Sequence, residues 1–291
     1  AVDRVSFTIG RDTIFGLVGE SGCGKTSLAR SVLYLDPPTA GEVWFDGTLL
    51  GRLSGKEMRS FRKRMQIVFQ DPNSALDPKM RIQDNLVEGL INRRFPAGER
   101  IKRIENLLDL VGISPGHRSR FPHEFSGGQK QRIVIARALT MKPDFLVLDE
   151  PVSNLDVSIQ AQIINLLIGL KKKLSLTYLF ISHDLNLVAY LSDNIAVMYR
   201  GKMMEMASTD EIMNRPCHPY TLKLFSSIPG RRAGKLTDEA EMALSTDGRD
   251  YSQSVCCAYE DQCGCKTDKC KNEMPELVEI RKRHHVACFN T

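Results

Sequence analysis

Short apolar runs and stretches of helical period take turns along this chain, and the alternation predicts its architecture. "TIFGLVG" (13–19) and "FLVLDE" (145–150) are continuous apolar runs ending in glycine or carboxylates, as strands buried on both faces read. "VSFTI" (5–9), "MQIVFQD" (65–71) and "TYLFISH" (177–183) read the same way, and "GEVWFDG" (41–47) is a short strand bounded by glycines. Between them, "KTSLARSVLYL" (25–35) and "SIQAQIINLLIGLKKKL" (158–174) place apolar residues at helical spacing. From about residue 72 to 143 strand signals vanish while "RIQDNLVEGLI" (81–91) and "GERIKRIENLLDLVGI" (98–113) keep the helical period, so this block reads as a helical insertion. "NIAVMYRGKMMEMAS" (194–208) predicts a hairpin turning at Arg200 and Gly201. Strands alternating with helices imply an α/β fold with a largely parallel sheet. Periodicity fades after "IPG" (228–230), which divides the chain into residues 1–228 and a tail, 229–291.

Composition changes this picture little. Of 291 residues, 42% are hydrophobic and 26% charged, an ordinary balance for a globular protein, and the net charge is +5. The densest basic cluster, "RSFRKRM" (59–65), reads as a solvated face rather than a nucleic-acid patch. No apolar stretch approaches the ~20 residues of a membrane-spanning helix, and the beginning of the chain lacks the apolar core of a signal peptide. The expectation is a soluble protein. The eight cysteines are the anomaly, because six of them crowd the last 36 residues. Disulfide scaffolds belong mainly to secreted chains, so a metal or cluster site is the sharper reading of that tail.

Candidate chemistry starts at "GESGCGKT", Gly19 to Thr26, which fits the phosphate-binding P-loop. Its glycines (Gly19, Gly22, Gly24) let backbone N–H groups wrap phosphates without Cβ clashes, while Glu20, Ser21, Cys23 and Ser27 complete the loop and helix start. Lys25 puts a cation on the terminal phosphates and the Thr26 hydroxyl can ligate Mg²⁺. Asp149 and Glu150 close a buried apolar strand; alone that is commonplace, but beside a P-loop Asp149 is placed to hold Mg²⁺ and Glu150 to polarise an attacking water. Gln70 and His183 also close predicted strands, where α/β proteins bind ligands, and His183 is a candidate γ-phosphate sensor. A second anion site stands in "FSGGQ" (125–129): Ser126, Gly127, Gly128 and Gln129 open a helical run whose dipole and free N–H groups attract phosphate.

"GESGCGKT", "FQDP", "FSGGQ", "FLVLDEPVSNLD" and "ISHD", in that order over roughly residues 1–225, resemble the ATP-binding-cassette (ABC) ATPases. The resemblance implies a P-loop NTPase of ABC type with a helical subdomain at about 72–143, and a resolution of the two anion sites. In that family two ATPase subunits lie head to tail, and each ATP is held between one P-loop and the other subunit's SGGQ helix. It implies ATP and Mg²⁺ as ligands, Ser126 and Gly128 on the partner's γ-phosphate, and Gln70 sensing Mg²⁺ and the transporter. It further implies Asp156 at the dimer seam, and His183 fixing γ-phosphate and attacking water. "AVDRVSFTI", "VFQDPNSALDPKM", "SIQAQIINLL" and "HPYT" (218–221) are similar to the oligopeptide/dipeptide/nickel importer branch and its F-type subunit. That branch implies a second, non-identical ATPase, two membrane permease subunits and an extracytoplasmic solute-binding protein, with no nucleic-acid partner. It also implies a peripheral position on the cytoplasmic face of a prokaryotic membrane. The rival class is a soluble ABC ATPase acting on ribosomes or DNA, and a non-hydrolysing regulatory subunit is a third reading. Intact Lys25, Asp149, Glu150 and His183 speak against the last.

Two positions depart from the family pattern. The aromatic that usually stacks on adenine would precede Ala1, and Asn154 in "SNLD" stands where alanine is usual. In the tail, Cys257, Cys263, Cys270 and Cys288 are similar to the C-terminal pattern of some peptide-importer ATPases, which implies a [4Fe–4S] cluster. Zinc would accept the same four thiolates, although its structural sites favour closely spaced pairs. Unligated or disulfide-linked cysteines are the remaining alternative.

Overall fold

A computed structural model describes residues 2–226 and 256–290. They divide into two compact units: residues 10–13 with 29–179, and residues 2–9 and 14–28 with the described residues from 180 onward. The expected boundary at 228–229 lies outside the described residues.

The unit carrying the P-loop is built on strands in the order β6-β1-β7-β8-β10-β9, with β6 (Thr177–Ser182) contributing its second half. Strand β1 (Ile14–Val18) is buried at all five positions and pairs in parallel with β7 (Asn194–Tyr199). Gly16 permits close packing under helix α8 (Leu185–Leu191), since a Cβ there would lie 2.3 Å from Val188 Cγ1 and 2.4 Å from Ser192 Oγ. Asp184 caps α8 by accepting from the Asn186 and Leu187 amides at 2.9 and 3.2 Å. Strand β8 (Lys202–Ser208) returns antiparallel to β7 through Arg200 (φ 44°) and Gly201 (φ 81°), the left-handed pair that a tight hairpin requires. Residues 5–9 form no strand: Phe7 instead stacks on Phe15 at 5.2 Å, and the Asp3 amide bonds Gly201 O at 2.9 Å. A half-buried hydrophobic segment thus satisfies its apolar face by ring packing without joining a ladder.

Tail residues belong to this same unit. Strands β9 (Val278–Arg281) and β10 (His284–Val286) form a hairpin, and β10 pairs antiparallel with β8. Glu205 of β8 is fully buried, which demands compensation for its charge. Its Oε1 accepts from the Cys217 amide (2.8 Å) and meets His284 Nε2 (2.7 Å), while Oε2 accepts from the His218 amide (2.9 Å). One carboxylate therefore ties β8, the segment opening helix α10 (Pro219–Ser226) and the tail hairpin together. Ligand atoms of Glu205, Cys217 and His284 lie within 4.8 Å of one another. With three hydrogen bonds on the carboxylate, however, the group is a clasp rather than an ion site.

In the other unit β4 (Met65–Val68) pairs in parallel with β5 (Phe145–Asp149), and the first half of β6 follows β5. Between β4 and β5 lie only helices: α3 (Pro72–Ala75), α4 (Ile82–Asn92), α5 (Arg100–Leu110) and α6 (Gly127–Leu139), with short 3₁₀ turns. Ile82, Leu86 and Leu90 of α4, and Ile104, Leu107 and Leu108 of α5, are each at most 1% exposed. A side chain of that kind contributes about 1.5–3 kcal/mol when fully buried. Gly89 lets α4 approach the end of α6, where a Cβ would stand 1.9 Å from Thr140 Oγ1. "GEVWFDG" forms a two-stranded hairpin, β2 (Trp44–Phe45) and β3 (Thr48–Leu49), turning at Asp46 (φ 53°) and Gly47 (φ 76°). Helix α7 (Val157–Leu174) ends on Ser175 in the left-handed conformation.

Candidate nucleotide and thiolate sites

The loop after β1 is shaped by backbone crowding. A Cβ on Gly19 would sit 2.2 Å from Met198 O, so only glycine fits beneath β7. Gly22 (φ 79°) and Gly24 (φ 105°) take left-handed conformations, after which helix α1 (Lys25–Val32) begins. Lys25 is 5% exposed, and its Nζ donates to Gly19 O and Glu20 O, both at 2.8 Å. The ammonium thereby closes the loop into a ring of backbone around a buried cation. Two further bonds brace the loop from outside: Gly201 N to Cys23 O (2.8 Å), and Glu20 N to the Tyr220 hydroxyl (3.3 Å). Ser21 and Thr26 are exposed and Ser27 is half-buried. Cys23 is buried, which pushes its thiol up and leaves it a small neutral spacer. His183 stands exposed directly after β6 in this same unit.

In the helical unit the register Val68 opposite Leu148 carries Gln70 to the level of Glu150. Gln70 Nε2 donates to Glu150 Oε2 (3.3 Å) and to Ser153 Oγ (3.2 Å), and Ser153 Oγ donates to Glu150 O (3.1 Å). Asp149 is 4% exposed at the end of β5. Glu150 follows with φ 48°, a left-handed conformation that costs a non-glycine residue about 1–3 kcal/mol. Strain of this kind is retained where surrounding bonds hold a functional group in one direction. Gln70 and Glu150 are thus brought together.

Ser126 is the N-cap of α6, accepting from Gln129 N at 3.4 Å, while Gln129 Oε1 accepts from Ser126 N at 3.0 Å. The "S-G-G-Q" run is a capping box. Gly127 and Gly128 are the first helical residues, and Ser126, Gly127 and Gln129 are exposed, so the positive end of the helix dipole faces outward. Gly128 is buried because α6 lies close to α7: a Cβ would meet Ile159 Cγ2 at 2.5 Å. Asp156, at the N-cap position of α7, is exposed beside Asn154 and Val157.

Tail cysteines form a separate group. Cys257 and Cys270 are buried, Cys256, Cys263 and Cys288 half-buried, and Cys265 exposed. Cys257 N bonds Cys270 O (2.8 Å), and Thr267 N and Asn290 N point at Cys270 Sγ and Cys288 Sγ, each at 3.4 Å. Burial first, then neighbouring Cys270 and Cys288, push the Cys257 thiol up to about 11. Burial, with Cys265 and Cys257 adding, pushes Cys263 up to about 12. Thiols that raise one another in this way become good ligands only when a cation takes the protons' place. Ligands of one tetrahedral zinc stand about 3.8 Å apart. Among the described residues no three sulfurs gather within 4.8 Å, although Cys263 Sγ and Cys265 Sγ approach to 3.7 Å.

The ABC transporter family model matches residues 2–153, more than half of the chain, from before the P-loop through Glu150. The chain belongs to the ABC transporter ATPases. A second model, the C-terminal region of oligopeptide/dipeptide transporters, matches residues 204–270 of this ABC ATPase. It is 48% identical over 289 residues to a Brucella ovis protein provisionally named a peptide import ATP-binding protein, covering 99% of this chain and 91% of that one. With the oligopeptide transport ATP-binding protein AppF of Bacillus subtilis it shares 43% over 291 residues, covering 99% of this chain and 88% of AppF. Among solved structures, cbiO1 of Clostridium perfringens, part of the ABC transporter complex cbiONQ, superposes with a TM-score of 0.68. That match is at 30% identity over 74% of this chain and 84% of cbiO1. The cassette MJ0796, a dimer bound to ADP and Pi, gives 0.64 at 27% identity over 72% and 90%. This ABC ATPase has the P-loop NTPase fold of ABC type and is an ATP hydrolase. No helix among its described residues is long and apolar enough to cross a membrane.

Sequence reasoning missed three features of these sites. It gave no role to Tyr220, no partner to Glu205 and no fold to the tail hairpin. The only signal was the "HPYT" run and a lone glutamate inside an apolar strand, and neither names a contact dozens of residues away.

Proposed function

We propose that this chain is the ATP-hydrolysing subunit that powers a peptide importer. The observation that carries the reading is the pairing of an ABC cassette with an oligopeptide-transporter C-terminal region in one chain. Lys25 and the amides of Gly19 to Ser27 hold the phosphates, Thr26, Asp149 and Gln70 serve Mg²⁺, and Glu150 polarises the attacking water with His183 against the γ-phosphate. Gln70 keeps the Glu150 carboxylate aimed, as its hydrogen bond to Oε2 at 3.3 Å supports, while Ser153 holds Gln70 (3.2 Å) and the Glu150 carbonyl (3.1 Å). Ser126, Gly127, Gly128 and Gln129 present the α6 dipole to the nucleotide of a second, non-identical ATPase subunit, and Asp156 lies at that seam. ATP moves such a pair only by binding the closed state better than the open one. A shift from 1:99 to 99:1 takes about 5.5 kcal/mol, within reach of one phosphate hydrogen-bonded by both subunits.

Permease partners follow from the family. A groove of about 320 Å³ lined by Phe69, Ala75, Val134 and Met141, with Glu88 and Arg137 paired at 3.0 Å, supports docking of a permease segment on the helical unit. We read the solute as a peptide handed over by an extracytoplasmic binding protein, and the chain as peripheral on the cytoplasmic face. Cys257, Cys263, Cys270 and Cys288 would hold a [4Fe–4S] cluster, which supplies a structural staple for a tail poor in apolar core. The four thiolates are the inventory such a cluster takes, and their sequence spacing lacks the close Cys pairs that structural zinc sites favour, which supports it over zinc. A brown preparation with visible absorption and about four irons per chain is expected; one zinc and no colour would reverse the assignment.

The test of function is uptake by vesicles holding the complete transporter. Labelled oligopeptide should accumulate only with ATP, and Glu150→Gln should stop it. ATP turnover that responds to ribosomes or DNA, with no peptide uptake, would support the soluble rival.

A further inference from the structure

The P-loop is braced by a buried stack of three tyrosines whose far end lies between two tail cysteines. Tyr220 is fully buried in α10, and its hydroxyl accepts the Glu20 amide hydrogen at 3.3 Å. Its ring lies 4.5 Å from Tyr199, the last residue of β7, and 5.4 Å from Tyr259. Tyr199 and Tyr259 meet edge to face at 5.3 Å and 88°, a favoured aromatic geometry. Met198, whose carbonyl crowds Gly19, directly precedes Tyr199. The first two residues of the loop are therefore both positioned by this stack.

Tyr259 sits in the turn that runs from Cys257 to Cys263. Three backbone bonds close that turn, Glu260 N to Cys257 O (3.0 Å), Gln262 N to Tyr259 O (3.2 Å) and Cys263 N to Glu260 O (3.3 Å). Lys223 of α10 reaches Gln262 at 3.1 Å, so the turn is also tied to the helix that carries Tyr220. A ligand gripped by Cys257 and Cys263 would pin both ends of the segment that presents Tyr259. Tyr220 is shut off from solvent, and burial holds its phenol neutral.

We propose that Tyr220 is a positioning residue for the P-loop and that Tyr259 links it to the cysteine turn, so that assembly of the tail thiolate site sets the affinity for ATP. The link to the tail rests on reading these cysteines as a ligand set. When the turn is pinned, Tyr259 holds the Tyr220 ring and the Glu20 amide keeps its partner. When the turn relaxes, Tyr220 loses an aromatic neighbour and the loop loses its preorganisation. Tyr220 touches no reacting atom, so the effect falls on binding and not on the chemical step.

The test uses the complete transporter and its ATPase kinetics, with metal content measured on the same preparations. Tyr220→Phe keeps the ring and deletes one buried hydrogen bond, which corresponds to roughly a threefold to tenfold rise in KM for ATP, with kcat within about twofold. Tyr259→Leu should give the same split, Tyr259→Phe should restore wild-type KM, and Tyr220→Phe/Tyr259→Leu together should be no worse than Tyr220→Phe. Cys270→Ser should lose the tail metal and show the same KM. Unchanged KM in Tyr220→Phe, or additive effects in the double variant, would overturn the proposal. So would metal loss in Cys270→Ser with KM unmoved. If wild-type protein itself carries no iron or zinc, the ligand reading fails while the tyrosine variants still decide the positioning role.

Discussion

Gly128 invites a perturbation whose size follows from geometry. A methyl group there would lie 2.5 Å from Ile159 Cγ2, where carbon contacts are comfortable at about 3.5–4.0 Å. Ile159 is β-branched and stiff within α7, so relief requires α6 to move by about 1 Å. Overpacking of this kind costs about 1–3 kcal/mol, and the better helix propensity of alanine returns up to about 1 kcal/mol. The net destabilisation of Gly128→Ala is about 0–3 kcal/mol, or up to roughly 12 °C in Tm. A 1 Å displacement of groups that touch phosphate lowers turnover by up to ~100-fold, so ATPase activity should fall far more than stability. Ile159→Ala removes the clashing methyl, and the double variant should regain both Tm and most of the activity. Coupling between neighbouring sites is what such a cycle measures. A double variant that melts normally yet stays inactive would refute the packing explanation. It would then place the need for glycine in close approach of the backbone to phosphate.

Three further outcomes are expected. Glu150→Gln should leave ATP binding intact, reduce hydrolysis by at least about 100-fold, and accumulate an ATP-bound dimer visible by size-exclusion chromatography; normal turnover would remove Glu150 as the base. His218 is buried neutral, its Nδ1 accepting from the Tyr220 amide at 3.0 Å, and burial lowers its pKa to about 4. Below about pH 6.5 the unfolded chain takes up a proton that the folded chain refuses, so stability is full above that value and falls towards pH 4. The loss amounts to about 3 kcal/mol across the window, and His218→Gln should flatten this part of a chemical-denaturation pH profile. Gly19→Ala should abolish ATP binding and lower Tm together, because its Cβ would stand 2.2 Å from a backbone carbonyl that cannot move aside.

Much of the frame was legible in the residues because its signals are local. Continuous apolar runs gave β1, β4, β5 and β6; Arg200-Gly201 gave the hairpin turn; the period change after "MQIVFQD" gave the helical insertion. The P-loop was legible because its pattern is contiguous, with Gly22 and Gly24 needed for their own left-handed conformations, although the carbonyl that crowds Gly19 is the distant Met198. Failures fall where the decisive contact is distant. Residues 5–9 have a strand-like pattern, yet Phe7 finds Phe15 and no ladder partner. Nothing near Glu205 in "KMMEMAS" announces its partner, because His284 lies far along the chain. The tail hairpin turns at Arg283 with φ 58°, without the glycine or asparagine that would have announced it.

Vanadate photocleavage of the trapped transporter tests most directly whether one γ-phosphate is held by both ATPase subunits. Vanadate occupies the γ-phosphate position and cuts backbone that touches it. Cleavage of this chain is predicted both in the Gly19–Thr26 loop and at Ser126–Gly128. Mutating the P-loop lysine of the partner subunit should erase the second cut and spare the first. A cut at Ser126 that survives that mutation, and disappears instead with this chain's own Lys25, would contradict the account.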